Sequence, residues 1–258
     1  IAQALNITGP FNIQFLAKDL DVKVIECNLR ASRSFPFVSK VFKSNFADLA
    51  TRVMMGETVP RLDRSAFDLD YVGVKSPQFS FTRLKGSDPI SGVEMASTGE
   101  AACLGDDFNE AFLKSLIAVG FEFPKKNILL STGPIENKAV FLNSARILAE
   151  MGFNLYATKG TAEFMKANGI PAAILYWPLE KQEPNTLTYI ADGLIDFVIN
   201  IPKNIEKEEL DNDYLIRRKA IDSNVPLVTN LQLAKRIVEA IHTLAVKDLK
   251  VKSWDEYN

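Results

Sequence analysis

Two short loops carry the groups best suited to chemistry. Ser131-Thr132-Gly133-Pro134, with Lys138 just beyond it, and Thr158-Lys159-Gly160-Thr161 each combine hydroxyls, a glycine-loosened backbone and a nearby lysine where an apolar run gives way to a helical pattern. Hydroxyls, free N–H groups and the positive end of a helix dipole all favour a small anion. Ser and Thr at helix starts also serve as plain N-caps, and one such loop would read that way. Two in succession read as an anion pocket.

A second group lies near the start of the chain. Phe11 to Phe15 and Val24 to Asn28 alternate strictly, with a polar segment from Lys18 to Asp21 between them, so they predict a β-hairpin. A register centred on residue 20 sets Gln14 opposite Glu26 and Asn12 opposite Asn28, all four on one face. A carboxylate flanked by amide oxygens suits Mg²⁺ or Mn²⁺, which keeps waters and borrows substrate phosphates. Arg30 and Arg33 follow at once and can meet those phosphates. The same alternation also describes the solvated face of an ordinary hairpin.

The elements that must position the two loops form a regular series. Ile128–Leu130 and Leu155–Ala157 are apolar runs too short for helices and read as buried parallel strands. Between them Val140, Phe141, Ser144, Ile147, Leu148 and Met151 recur at helical spacing, and Gly152 stands where such a helix ends. A right-handed crossover brings Ser131 and Thr158 to the same rim of the sheet, where open α/β sheets bind their ligands. The alternation continues with a strand over 172–176, a short helix over 185–191, a strand over 197–201, a helix over 214–222, a strand over 227–229 and a last helix over 231–245. Five strands separated by helices predict an α/β fold, a parallel sheet covered on both faces.

Upstream, 35–70 is helical and amphipathic, with Phe46, Leu49, Ala50, Val53 and Met54 at helical spacing before Gly56. Residues 75–104 are rich in Pro and Gly and read as loop, and Ser97-Thr98-Gly99-Glu100, with no strand before it, reads as a helix cap. Residues 107–119 form another amphipathic helix, and 120–127 reads as a linker, so a domain boundary is placed near 120.

Composition narrows the partners. With 30 basic and 32 acidic residues among 258 and a net charge of −2, no surplus exists to neutralise a phosphate backbone, which argues against nucleic acid. No apolar run reaches the length of a membrane span, and no signal-like start is seen. Cys27 and Cys103 lack any CxxC or Cys/His spacing and read as buried thiols in a reducing, cytoplasmic setting. The chain opens at Ile1 within a structured pattern, which suggests that an upstream part is missing.

The run GPFNIQFLAKDLDVKVIECNLRASRSFPFVSK, from Gly9 to Lys40, resembles the C-terminal metal-binding part of an ATP-grasp domain. More closely it resembles the second, carbamoyl-phosphate-forming ATP-grasp unit of the carbamoyl phosphate synthetase large subunit. The glutamate with asparagine two residues on is shared widely among ATP-grasp enzymes, whereas the NLRASRS run is selective. EMASTGEAACLG resembles the closing segment of the same unit, and the alternating half resembles the methylglyoxal-synthase-like domain that ends the same large subunit.

This resemblance implies an α+β ATP-grasp fragment over 1–119 and a methylglyoxal-synthase-like allosteric domain over 120–258, with strand order 3-2-1-4-5. It assigns Gln14, Glu26 and Asn28 to the metals of Mg-ATP and places Arg30 and Arg33 near phosphate. It assigns Ser131, Lys138, Thr158, Thr161 and Asn200 to an anionic effector, a nucleotide or N-acetylglutamate. Trp177 stands where the nucleotide-regulated bacterial type has lysine, and the acetylglutamate-regulated type resembles this chain there; Trp177 reads equally as a stacking surface or a core aromatic. Lys203 and Asp213 stand where the acetylglutamate-regulated type uses asparagines, so Asp213 disfavours an anion unless Lys203 pairs with it. Ser76 stands where ornithine-activated relatives carry an acid, so ornithine control is not expected.

The implied partners are a glutaminase and the upstream domains of the same large subunit, and the chain by itself is expected to turn over nothing. The competing reading is an independently active methylglyoxal-synthase-like lyase. That chemistry needs an aspartate and a histidine on the rim, and the single histidine, His242, falls in the last helix. Whether the tail from Lys247 to Asn258 docks is left open, with Trp254 and Tyr257 pointing to docking.

Overall fold

The computed structural model describes residues 1–90, 97–180, 182–202 and 207–257. It divides into two compact units, one of residues 1–73 with 252–258, the other of residues 74–251.

The first unit begins with the hairpin β1 (Asn12–Lys18) and β2 (Asp21–Asn28). Asn12 pairs with Asn28 and Gln14 with Glu26, the expected register. Beyond Gln14 the register shifts, so Phe15 pairs with Val24 and the turn closes as a two-residue loop at Asp19-Leu20. Asp19 adopts the left-handed backbone, φ 56°, that such tight turns require. The bulge leaves Ile25 unpaired, which sequence alternation alone did not show. Helices α1 (Phe35–Phe42) and α2 (Phe46–Met54) follow; Asn45 caps α2 through Asp48 N–H at 3.1 Å, and Gly56 takes φ 81° just past its end.

The tail docks within this unit. Tyr257 is buried and its ring lies 5.6 Å from that of Tyr71, while Trp254 Nε1 donates to Lys40 O at 3.0 Å.

The strand β3 (Val72–Gln78), which from Val74 on belongs to the second unit, pairs with β4 (Gly99–Gly105) in a small sheet, and α3 (Phe108–Ala118) follows, capped by Asp107. The segment read as loop thus contains two strands. Ser97 and Thr98 do not cap a helix: Thr98 N–H bonds Gln78 O at 2.8 Å and leads into β4. The Glu94, Met95 and Ala96 part of EMASTGE lies outside the described residues.

The main sheet comprises β5 (Asn127–Ser131), β6 (Asn154–Thr158), β7 (Ala173–Leu175), β8 (Phe197–Asn200) and β9 (Leu227–Val228). It is parallel, in the order β7-β6-β5-β8-β9, which is the expected 3-2-1-4-5. Side chains alternate across it. Ile128, Leu130, Leu155, Ala157, Phe197 and Ile199 face one core, shared with α3, α4 (Ile135–Glu150), α5 (Lys159–Ala167) and α8 (Leu231–Thr243). Leu129, Leu175 and Val198 face the other, shared with α6 (Thr186–Ala191) and α7 (Lys207–Asp222). Helix α7 begins earlier than the residue pattern indicated. Phe112, Leu113 and Leu116 of α3 join the first core, which is why the compact unit starts upstream of 120.

Candidate functional site

The parallel sheet sends the C-terminal ends of β5, β6 and β8 to one rim. Ser131 pairs in register with Asn200, and Thr158 ends the neighbouring strand. Ser131, Thr158, Thr161 and Asn200 are all buried. Thr158 Oγ1 lies 3.5 Å from both Ser131 Oγ and Thr161 Oγ1, and Thr132 N–H points at Thr161 Oγ1 at 3.4 Å. Three of the expected site hydroxyls are therefore one cluster.

They are not acting as helix caps. The N-cap positions of α4 and α5 are Pro134 and Thr158, and neither makes a side-chain cap hydrogen bond. Two helix N-termini thus offer their N–H groups and dipoles to the same rim. Lys138 Nζ donates to Gly160 O at 3.1 Å, which fixes an ammonium beside the second loop. Gly133 takes φ 66°, and a Cβ there would stand 3.0 Å from Ile201 O, so this turn requires glycine. Thr132 Oγ1 is buried without a hydrogen-bond partner, an orphan polar atom at the base of the loop.

Helix α7 closes the other side. Asp213, buried, accepts from Ser131 Oγ at 3.3 Å and from Asn200 Nδ2 at 2.8 Å. Arg217, 1% exposed, donates through Nη1 to Asn200 Oδ1 at 2.9 Å and grips Asp88 through Nε at 2.8 Å and Nη2 at 2.6 Å. Arg217 and Asp88 were not singled out from sequence, and Thr132 was named only as part of its hydroxyl loop. An Arg-Arg pair in a polar helix looks solvent-facing, and burial depends on a loop 129 positions away. Lys203, the expected partner of Asp213, lies outside the described residues.

Trp177 follows β7 and is half-buried, and its backbone N–H donates to Glu180 Oε2 at 2.9 Å. Ser76 is buried and shares a hydrogen bond of 2.7 Å with Ser115 Oγ. His242 is exposed on α8.

In the hairpin, Gln14 stands opposite Glu26, and Asn28 Nδ2 donates to Glu26 Oε1 at 2.9 Å. The oxygens of these three residues share one face of an exposed ribbon. They fit a hard cation that retains waters, with a single carboxylate among them. Among the described residues no group of three His, Cys, Asp or Glu side chains is placed to hold a metal on its own. Arg30 and Arg33 are exposed, and Arg30 Nη1 donates to Ala31 O at 3.2 Å. No helix among the described residues is long and apolar enough to cross a membrane.

Known proteins match this sequence. The model of the family described as MGS-like domain matches residues 140–229. "Multifunctional protein pyrABCN" of Emericella nidulans is 50% identical over 93% of this chain and 11% of its own length. "Carbamoyl-phosphate synthase [ammonia], mitochondrial" of Homo sapiens is 47% identical over 97% of this chain and 17% of its own. A methylglyoxal synthase of Elizabethkingia anophelis covers 51% of this chain and 88% of its own at 18% identity, with a TM-score of 0.35. The chain spans between about a tenth and a sixth of the length of the curated relatives quoted. Along nearly its whole length the chain is similar to part of each of these two curated relatives, and the MGS-like domain model matches its residues 140–229.

Proposed function

We propose that the sheet domain is an allosteric module that binds an anionic effector at the rim formed by Ser131, Lys138, Thr158, Thr161, Trp177 and Asn200. The observation that carries this reading is the convergence of two uncapped helix starts, three clustered hydroxyls and the Lys138 ammonium on one rim. Each element favours negative charge, and together they replace the hydration an anion gives up.

Asp213 shapes what else the effector carries. Its carboxylate takes hydrogen bonds from Ser131 and Asn200, so the neighbouring ligand group is a donor or neutral, and a second carboxylate there is repelled. An independent lyase has no comparable support, because the rim presents no histidine and His242 is exposed on α8.

In the full-length enzyme, effector binding would bias ATP-dependent synthesis of carbamoyl phosphate from bicarbonate and glutamine-derived ammonia, in pyrimidine or arginine formation and in the cytoplasm. A glutaminase would supply the ammonia, and upstream domains would complete the ATP site. Residues 1–119 are assigned to the ATP-grasp fragment and 120–258 to the allosteric domain. Gln14, Glu26 and Asn28 would hold Mg²⁺ or Mn²⁺, which screens the phosphates of ATP when bound. Arg30 and Arg33 would offset charge developing on the transferred phosphoryl group. The chain alone turns over nothing, and ATP-dependent phosphotransfer by it would contradict that.

The deciding experiment is calorimetric titration of the chain with UMP, IMP and N-acetylglutamate, beside a Thr158→Val variant that keeps shape and removes the hydroxyl. Binding of one ligand, lost in the variant, is expected. Equal binding by both proteins would remove the rim as the site.

A further inference from the structure

Consecutive residues of α7 serve two walls of the same rim. Asp213 meets the strand ends, while Asn212, also buried, accepts the Leu179 N–H at 2.9 Å through Oδ1. Neighbouring helical side chains point roughly 100° apart, so one turn of helix can address both. Leu179 belongs to the turn that carries Trp177, and that turn is closed on itself. Glu180 N–H bonds Trp177 O at 3.0 Å, and Asn185 Nδ2 reaches Trp177 O at 2.9 Å and Glu180 O at 3.3 Å. A unit tied internally moves as one piece, so an external tie sets where its aromatic ring stands. In the sheet, β6 and β5 lie between β7, which leads into this turn, and β8, which precedes α7. The Leu179–Asn212 bond therefore links the two sides of the rim that flank the Ser131 and Thr158 strand ends.

We infer that Asn212 is a positioning residue for the effector site: it holds the Trp177 turn where its ring can cover the flat or apolar part of a ligand whose anionic part sits on the hydroxyl loops. This deepens, and rests on, the reading of the rim as an anion site. It separates two functions. The loops from 131 and 158 would take the charge, and the Asn212-held turn would discriminate among the bodies attached to it.

The test uses the chain with Trp254→Phe, which leaves Trp177 as its one tryptophan. Asn212→Leu keeps the bulk and removes the acceptor, whereas Asn212→Asp keeps an acceptor oxygen. Acrylamide quenching of Trp177 is expected to rise in the leucine variant and to return toward the parent in the aspartate variant. Calorimetry with UMP and with inorganic phosphate then separates the two walls. Asn212→Leu is expected to weaken UMP roughly tenfold, the scale of one lost base-stacking contact, and to leave phosphate unchanged. Adding Trp177→Ala to it should weaken UMP no further than Trp177→Ala alone, because both act through one contact.

Unchanged quenching in Asn212→Leu, equal losses for UMP and phosphate, or additive losses in the double variant would each overturn the assignment. Failure of the parent to bind either probe would instead defeat the anion-site reading, and the quenching comparison would then decide whether Asn212 positions the turn.

Discussion

Arg217 donates to Asn200 Oδ1 at 2.9 Å, so a guanidinium that is 1% exposed backs an amide at the rim. Its remaining nitrogens form a two-pronged pair with Asp88, whose side chain is 38% exposed. The two partners are unequally buried, and their loss should be unequal too. Asp88→Ala leaves a buried cation without its carboxylate and is expected to cost about 3 to 5 kcal/mol. Arg217→Met removes the buried charge at similar volume and leaves Asp88 able to hydrate, so its cost should be clearly smaller. Urea unfolding of both variants checks the order, and equal losses would contradict it.

The two glycines of the anion loops make a second contrast. Gly133 has φ 66° and backbone oxygen at the 3.0 Å limit, whereas a Cβ on Gly160 would meet only the far end of the long Lys138 side chain at 3.3 Å. Gly133→Ala should therefore cost about 1 to 3 kcal/mol through backbone strain. Gly160→Ala, in the first turn of α5, should lie within about 1 kcal/mol of neutral, because alanine favours helix. Thermal unfolding of the pair distinguishes these outcomes.

The sheet was legible because its information is local. Ile128–Leu130 and Leu155–Ala157 are short apolar runs bounded by loop residues, and their alternation into two cores follows from strand geometry. The hydroxyl cluster was legible for the same reason, since Ser131 and Thr158 both end strands. The bulge at Gln14/Phe15 was not, because pairing after a bulge depends on the turn rather than on alternation. Nor were β3 and β4, whose pairing spans a Pro- and Gly-rich stretch that locally reads as loop. The Arg217 and Asn212 contacts were hidden further, because each depends on a segment at least 17 positions away in sequence.

Acid should act through Glu110. Burial by itself pushes this carboxyl up, but Asp106 N–H at 2.6 Å, the Lys114 ammonium at 2.9 Å and Lys250 N–H at 3.3 Å outweigh it and leave it below 4.5. With a folded value lower than the unfolded one, the ionised form stabilises the fold fully above that unfolded value. The contribution is lost as pH falls through the folded value. Glu110→Gln should therefore lower stability at neutral pH and flatten the decline in acid. Urea midpoints of both proteins at pH about 7 and about 4 check this, and parallel declines would remove Glu110 as a source.

The docked tail gives the last test. Tyr257 and Tyr71 are each 5% exposed with ring centroids 5.6 Å apart, and Lys43 Nζ donates to Tyr257 O while lying 5.5 Å over the Trp254 ring. Tyr71 Oη in turn donates to Val41 O in α1. The tail thus completes the packing around α1, a helix that buries no residue of its own fully. Removing one buried aromatic from such a contact typically costs about 3 to 5 kcal/mol. Tyr257→Ala should speed hydrogen exchange of the α1 amides and raise acrylamide quenching of Trp254, while the β5 and β8 amides, held in the sheet of the other unit, keep their protection. Unaltered exchange in α1 would mean that the helix holds without the tail. Faster exchange in α1 and the sheet together would instead point to one cooperative unit.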